Sequence, residues 1–188
     1  MKNLKTFAIA LFTASTLAVS AQTKKVDVTK STVTWVGKKV TGQHTGDVKL
    51  QDGALVFKAG KVTGGSFTVD MTSIEVTDLK AGQGKEKLEG HLKHDDFFAT
   101  EKFPTATLNF KSIAAKKNNI YTITADLTVK GKTAPVVFDL VVAGNSATTK
   151  FNIDRTKYDV KYGSGSFFQG LGDKTIDDNF EISAMLVW

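Results

Sequence analysis

The chain contains no cysteine. That excludes disulfides, thiolate metal ligands and lipid attachment to cysteine. A domain without disulfides must be held by its hydrophobic core, and the residues from Gln22 to Trp188 are enough to bury one. Arginine is nearly absent as well, with Arg155 the single one. Nucleic-acid binders cluster basic residues and favour arginine for bidentate contacts. Here the net charge of +6 comes from scattered lysines. It argues against nucleic acid and for solubility, with mild attraction to anionic surfaces. After Val19 no apolar run is long enough to span a bilayer, so no transmembrane anchor is expected. Repeats, low-complexity tracts and linkers are missing too, which predicts one domain over residues 22–188.

The amino terminus reads as a processing signal. Lys2 and Lys5 precede an apolar run from Phe7 to Val19, and Val19-Ser20-Ala21 offers small residues at a cleavage site. A signal peptide over residues 1–21 is expected, with a mature chain from Gln22 in the periplasm or outside the cell.

Period-2 alternation dominates the remainder. Tyr121, Ile123, Ala125, Leu127 and Val129 alternate with Thr and Asp, and the same pattern runs through Phe67–Met71, Ala106–Phe110 and Phe180–Trp188. Each such segment has one apolar and one polar face, as antiparallel strands with one wet side require. Further strands are expected over Val26–Val40, Asp47–Phe57, Ser146–Ile153 and, weakly, Lys157–Tyr162. Tight turns are expected at Gln51-Asp52-Gly53, Lys117-Asn118-Asn119 and Ala143-Gly144-Asn145. The one helical pattern is Gly84–Lys93, with Leu88 and Leu92 on one face. Val136–Val142 is apolar on both faces except at Asp139, so the helix, with Phe97 and Phe98, is expected to cover its outer side. About eight such strands make a closed barrel or a sandwich.

Catalytic constellations are missing. His91 and His94 share a helix face, yet the His-Glu-x-x-His pattern is absent, and roles at a helix end suffice for both. Gly163-Ser-Gly-Ser-Phe-Phe168 is neither a nucleophile elbow nor a phosphate loop. It reads as a glycine-permissive loop with Phe167 and Phe168 folded onto the core. Adjacent carboxylates, Asp95/Asp96 and Asp177/Asp178, suit turns and caps. No catalytic residue, metal or cofactor is expected.

The residues also carry a family resemblance. Lys87-Leu-Glu-Gly-His-Leu-Lys-His-Asp-Asp-Phe-Phe98 leads into Glu101-Lys-Phe-Pro104 and a strand. Val26-Asp27, Asp126-Leu-Thr-Val-Lys-Gly-Lys-Thr-Ala-Pro-Val136, Tyr162–Ile176 and Phe180-Glu-Ile182 follow the same pattern. Together they resemble the YceI-like family over nearly the whole mature chain. The resemblance implies an eight-stranded, lipocalin-like antiparallel barrel with a short helix packed on its side. It also implies non-catalytic binding of a polyisoprenoid or similar long-chain lipid inside the barrel. Three departures leave the ligand's head group open: Lys30-Ser31 where many members carry His-Ser, Leu88-Glu89 where Arg-Asp is frequent, and a basic, glycine-rich Gly37–Gly46 loop.

On that reading the apolar face points inward and lines the ligand tunnel. Its members are Phe67, Val69, Met71, Leu108, Phe110, Tyr121, Ile123, Leu127, Phe138, Leu140, Phe180 and Ile182. A ligand of about forty heavy atoms at ~0.3 kcal/mol each gains ~12 kcal/mol, near nanomolar affinity. Two alternatives stay open: a barrel filled by its own side chains, serving as a structural or interaction module, and a hydrolase-type enzyme using His44 or His91. A homo-oligomer is compatible with the sequence.

Overall fold

The structure, a computed structural model, describes residues 20–188. The expected signal segment therefore lies outside the described residues, apart from Ser20 and Ala21. The strands are β1 (Gln22–Lys25), β2 (Thr32–Lys39), β3 (Gly42–Lys58), β4 (Lys61–Val76), β5 (Thr105–Ala115), β6 (Ile120–Val129), β7 (Lys132–Ala143), β8 (Ser146–Asp154) and β9 (Ile176–Val187). One helix, α1 (Lys85–Lys93), interrupts them. From β2 to β9 each strand pairs antiparallel with the next, and β2 pairs with β9 to close an eight-stranded ring. Closure leaves few backbone donors and acceptors without a partner. The extra strand β1 pairs with the second half of β3, where β2 no longer reaches it.

Up-and-down topology assigns every connection to an end. Turns after β3, β5 and β7 fall at one end, here the lower, with the carboxy terminus. Those after β2, β4, β6 and β8 fall at the upper end. The lower turns are tight and use left-handed residues. Asn118 and Asn119 both have positive φ, as does Gly144, so the expected turns at Lys117–Asn119 and Ala143–Asn145 form.

Gln51-Asp52-Gly53 is not a turn. It is a bulge within the 17-residue β3, where the register against β4 shifts between Leu50 and Asp52. Gly53 serves a close approach: a Cβ there would lie 2.6 Å from the Phe67 ring. The chain reverses later, at Ala59-Gly60, both with positive φ.

Two other expectations are corrected. Lys157–Tyr162 is not a strand; Arg155–Tyr158 is a 3-10 turn, started by Asp154, which accepts from the Thr156 amide. It packs where β7 and β8 diverge, since those strands pair only over Leu140–Ala143 and Ser146–Thr149. The first long strand begins at Thr32 rather than Val26, because Asp27–Ser31 forms a hydrogen-bonded turn.

α1 starts behind Gly84, which has φ 98°, and packs on β4. Glu89 accepts from the Val76 amide at 2.8 Å, and Lys85 reaches Glu75 at 2.7 Å. Leu92 is buried. The helix does not cover β7. In the ring, β5 and β6 stand between β4 and β7, and nine residues do not span them. Val137 and Val141 on the outer face of β7 remain 62% and 40% exposed.

Two apolar clusters fill the molecule. The upper one joins α1, Phe97 and the 3-10 turn to the strand faces. The lower one contains Leu55, Val62, Tyr121, Ile123 and Leu140.

Candidate functional site: an apolar cavity inside the barrel

The inward faces of the strands enclose a cavity of about 190 Å³. Its wall is almost wholly apolar and rich in aromatic rings. Of the twelve residues expected to line a tunnel, all but Tyr121 and Ile123 do face this space. Tyr121 is 5% exposed and Ile123 fully buried, yet both sit in the lower cluster that closes the floor. The alternation assigns them to the inward face; it does not show where along the barrel the interior stops being hollow. Phe138 stacks on Phe151 at 4.6 Å just above this floor.

The wall has members that the sequence reading left out. Val33, Trp35 and Gly37 come from β2, and Phe151, Ile153 and Arg155 from β8 and its end. Their period-2 spacing was readable in the same way as the others. Leu92, Phe97 and Phe98 close the upper side from α1 and the turn after it. Only tertiary packing places those three, so no local pattern announces them.

Gly46 allows Trp35 into the wall. A Cβ at Gly46 would lie 1.8 Å from the Glu75 carbonyl oxygen and 2.6 Å from the Trp35 ring. The indole Nε1 of Trp35 is buried and has no hydrogen-bond partner.

Arg155 anchors the upper rim. Its side chain is 2% exposed and donates to the carbonyls of Asp177, Val160, Tyr162 and Ile176 at 2.8–3.0 Å. Burial lowers its pKa, while Asp178, at 3.6 Å, opposes the shift. Burial also pushes the Asp178 carboxyl up, but hydroxyls of Ser164 and Ser166 and the Arg155 charge outweigh it, leaving the group below its usual range. Sequence reasoning treated Arg155 only as a rarity; its five neighbours become visible only when β8 and β9 meet. Tyr158, buried beside it, has its pKa pushed up to about 12 by desolvation.

The histidines serve the framework. His44 bonds Asp78 at 2.9 Å, and His94 bonds Asp96 at 2.9 Å beyond the helix end. His91 lies edge-on to Phe97 and Tyr162. Among the described residues no group of three or more His, Asp or Glu side chains is arranged to hold a metal. Two departures noted in the sequence are structural as well: Lys30 pairs with Asp27 at 2.8 Å, and Glu89 ties α1 to β4.

The YceI-like domain family matches residues 25–188. The chain belongs to the YceI-like family. A UPF0312 protein of Shewanella denitrificans is 37% identical over 93 residues, 50% of this chain and 46% of that one. A second UPF0312 protein, from Photorhabdus laumondii, is 33% identical over 90 residues, again 45% of its length. The chain thus spans about half the length of these relatives in the matches. Among solved structures, BcnA of Burkholderia cenocepacia superposes with a TM-score of 0.70 at 26% identity, covering 87% of this chain and 99% of that one. A polyisoprenoid-binding domain from Saccharophagus degradans, implicated in plant cell wall breakdown, gives 0.59 at 13% identity, covering 89% and 97%. That last likeness is one of fold. The YceI-like fold accordingly accounts for the closed eight-stranded barrel, its added strand and its single helix.

Proposed function

We propose that this YceI-like protein is an exported, non-catalytic carrier that holds the apolar chain of a lipid, of polyisoprenoid type, inside its barrel. The observation that carries the reading is the cavity: a ring-rich, nonpolar space bounded by inward faces of most strands. Such a space supplies no acid, base or nucleophile. What it does supply is exclusion of water from hydrocarbon, worth ~0.8 kcal/mol per buried methylene. Export fits this role, because a lipid that crosses an aqueous compartment needs its tail hidden; the Lys2/Lys5 start and the Phe7–Val19 run support it.

Size sets the terms of binding. A cavity of about 150 Å³ accepts a benzene ring, and ligand pockets usually hold about 300–1,000 Å³. At about 190 Å³ the unfilled barrel seats a short apolar segment. A chain of about forty heavy atoms must therefore widen it by turning wall rings such as Phe98, Phe151 and Phe180. The same small volume favours a second reading, a barrel filled by its own side chains and without cargo. Organic extraction of protein purified from its native envelope, followed by mass spectrometry, separates the two. A stoichiometric long-chain lipid is expected. A lipid-free extract from protein that also takes up no apolar probe would leave the filled-barrel reading.

A further inference from the structure

The apolar side chains that the fold leaves in water are not spread evenly. Of the eight large ones exposed among the described residues, Val40, Phe103, Tyr162, Phe167 and Phe168 lie on connections at the upper end. The other three, Val137, Val141 and Met185, lie on outer strand faces. Phe167 and Phe168 were expected to fold onto the core; they are instead 51% and 50% exposed. A firm scaffold holds them out. The amides of both donate to the Ser164 carbonyl, and the Ser164 amide donates to Lys161. Ser166 donates to Asp178, itself beside Arg155. The Ile176 amide donates to Gly163, closing the loop on β9. Two adjacent half-exposed rings on a loop pinned at both ends cost free energy in water and call for a partner.

Position and charge identify that partner. Val40 stands next to the same loop, its amide donating to Thr175 at 3.2 Å. Lys38, Lys39, Lys157 and Lys174 lie on the same upper connections and strand ends and make no ion pair among the described residues, against the exposed Asp159, which pairs with Lys161, and Asp173 and Asp177. Lys161 lies over the Phe167 ring, 5.0 Å from its centroid. Rings flanked by lysines are the composition of a membrane-interface contact. The loop also leads into the cavity wall, since β9, on which it closes, begins with the wall residues Ile176 and Asp177.

We infer that the upper end is a docking face for an anionic lipid bilayer, with Phe167, Phe168 and Val40 entering the interface and the lysines meeting the head groups. Docking there brings the mouth of the cavity to the membrane, so that an apolar chain passes between bilayer and barrel without crossing water. The purpose of the contact rests on the carrier reading above; the contact itself is measured separately. A lysine near an anionic surface contributes about fivefold to affinity, and each ring that leaves water roughly tenfold.

Vesicle flotation tests it, alongside uptake of N-phenyl-1-naphthylamine by the same preparations as a gauge of the cavity. Vesicles are equal parts phosphatidylglycerol and phosphatidylcholine, or phosphatidylcholine alone. Wild type is expected to float with the anionic vesicles and release as salt rises. A Phe167→Ser/Phe168→Ser variant should bind at least about tenfold more weakly, and Lys38→Glu/Lys39→Glu should lose the preference for anionic vesicles. A Val137→Ser/Val141→Ser variant, which removes side chains of similar fractional exposure from the barrel wall, should bind as wild type does. These positions are exposed, so folding is expected to survive, and unchanged thermal melts establish it. Wild type that takes up the probe but ignores both vesicles overturns the docking and leaves the carrier reading standing. Phenylalanine-dependent flotation without any probe uptake supports the docking and overturns the carrier reading. Equal flotation of wild type and the Phe167/Phe168 variant overturns the docking.

Discussion

Ile123 and Leu127 stand on the same face of β6, four residues apart, yet they do different work. Leu127 borders the cavity; Ile123 has no exposed surface and fills the floor beneath it. Ile123→Ala should therefore destabilise the fold by about 2–5 kcal/mol, the cost of a void in a closed cluster. Its uptake of an apolar probe per folded molecule should stay unchanged. Urea denaturation and probe titration on the same sample measure the two effects, and loss of uptake at full stability would move Ile123 into the site. Sequence alternation placed both residues inward and was right in that. It carried no information on depth, because depth is set by Leu55 and Val62 arriving from β3 and β4.

Among elements, β3 and β4 hold the tightest constraint. Gly46 faces the Glu75 carbonyl and the Trp35 ring with no room for a methyl group. Gly46→Ala is expected to force the strands apart or push Trp35 into the cavity, with a loss of at least ~1–3 kcal/mol as for other overpacked sites. A thermal melt together with a shift in tryptophan emission would register it; wild-type values for both would contradict the contact. The loop over Gly163–Phe168 makes a different prediction, one of pH. Asp178 has a depressed pKa in the folded state, so its contribution is complete at neutral pH and fades as pH falls below about 4. Melting temperature should drop more between pH 7 and pH 3 in wild type than in Asp178→Asn, which lacks the titrating group. Equal drops would remove Asp178 from the anchoring of this loop.

The strands were legible element by element, because alternation and threonine content are local properties. Two elements were not. Asp52-Gly53 has the composition of a turn, but the bulge it forms is dictated by Phe67 lying against it. Lys157–Tyr162 alternates weakly, but it starts inside the 3-10 turn Arg155–Tyr158 and then wraps Arg155, which gathers the Val160 and Tyr162 carbonyls. Similarly, α1 was readable as a helix, whereas its seat on β4 rather than β7 depends on the Glu89 bond to the Val76 amide.

For the whole molecule, topology makes the two ends unlike. Tight turns and a packed cluster close the lower end, while the upper end carries two tight turns, the two long connections after β4 and β8, buried Arg155 and exposed rings. Eight antiparallel strands with both long connections at one end give the barrel a floor and an unlike upper end. Its interior decides function, and Leu127 is the position at which that interior is most simply closed. Titration of the naphthylamine probe into wild type and Leu127→Trp tests the central claim. Saturable uptake by wild type is predicted, with uptake abolished in Leu127→Trp while the variant stays folded, its stability within about 1–3 kcal/mol of wild type. Equal uptake by two folded proteins would contradict the claim that the barrel interior is the binding site.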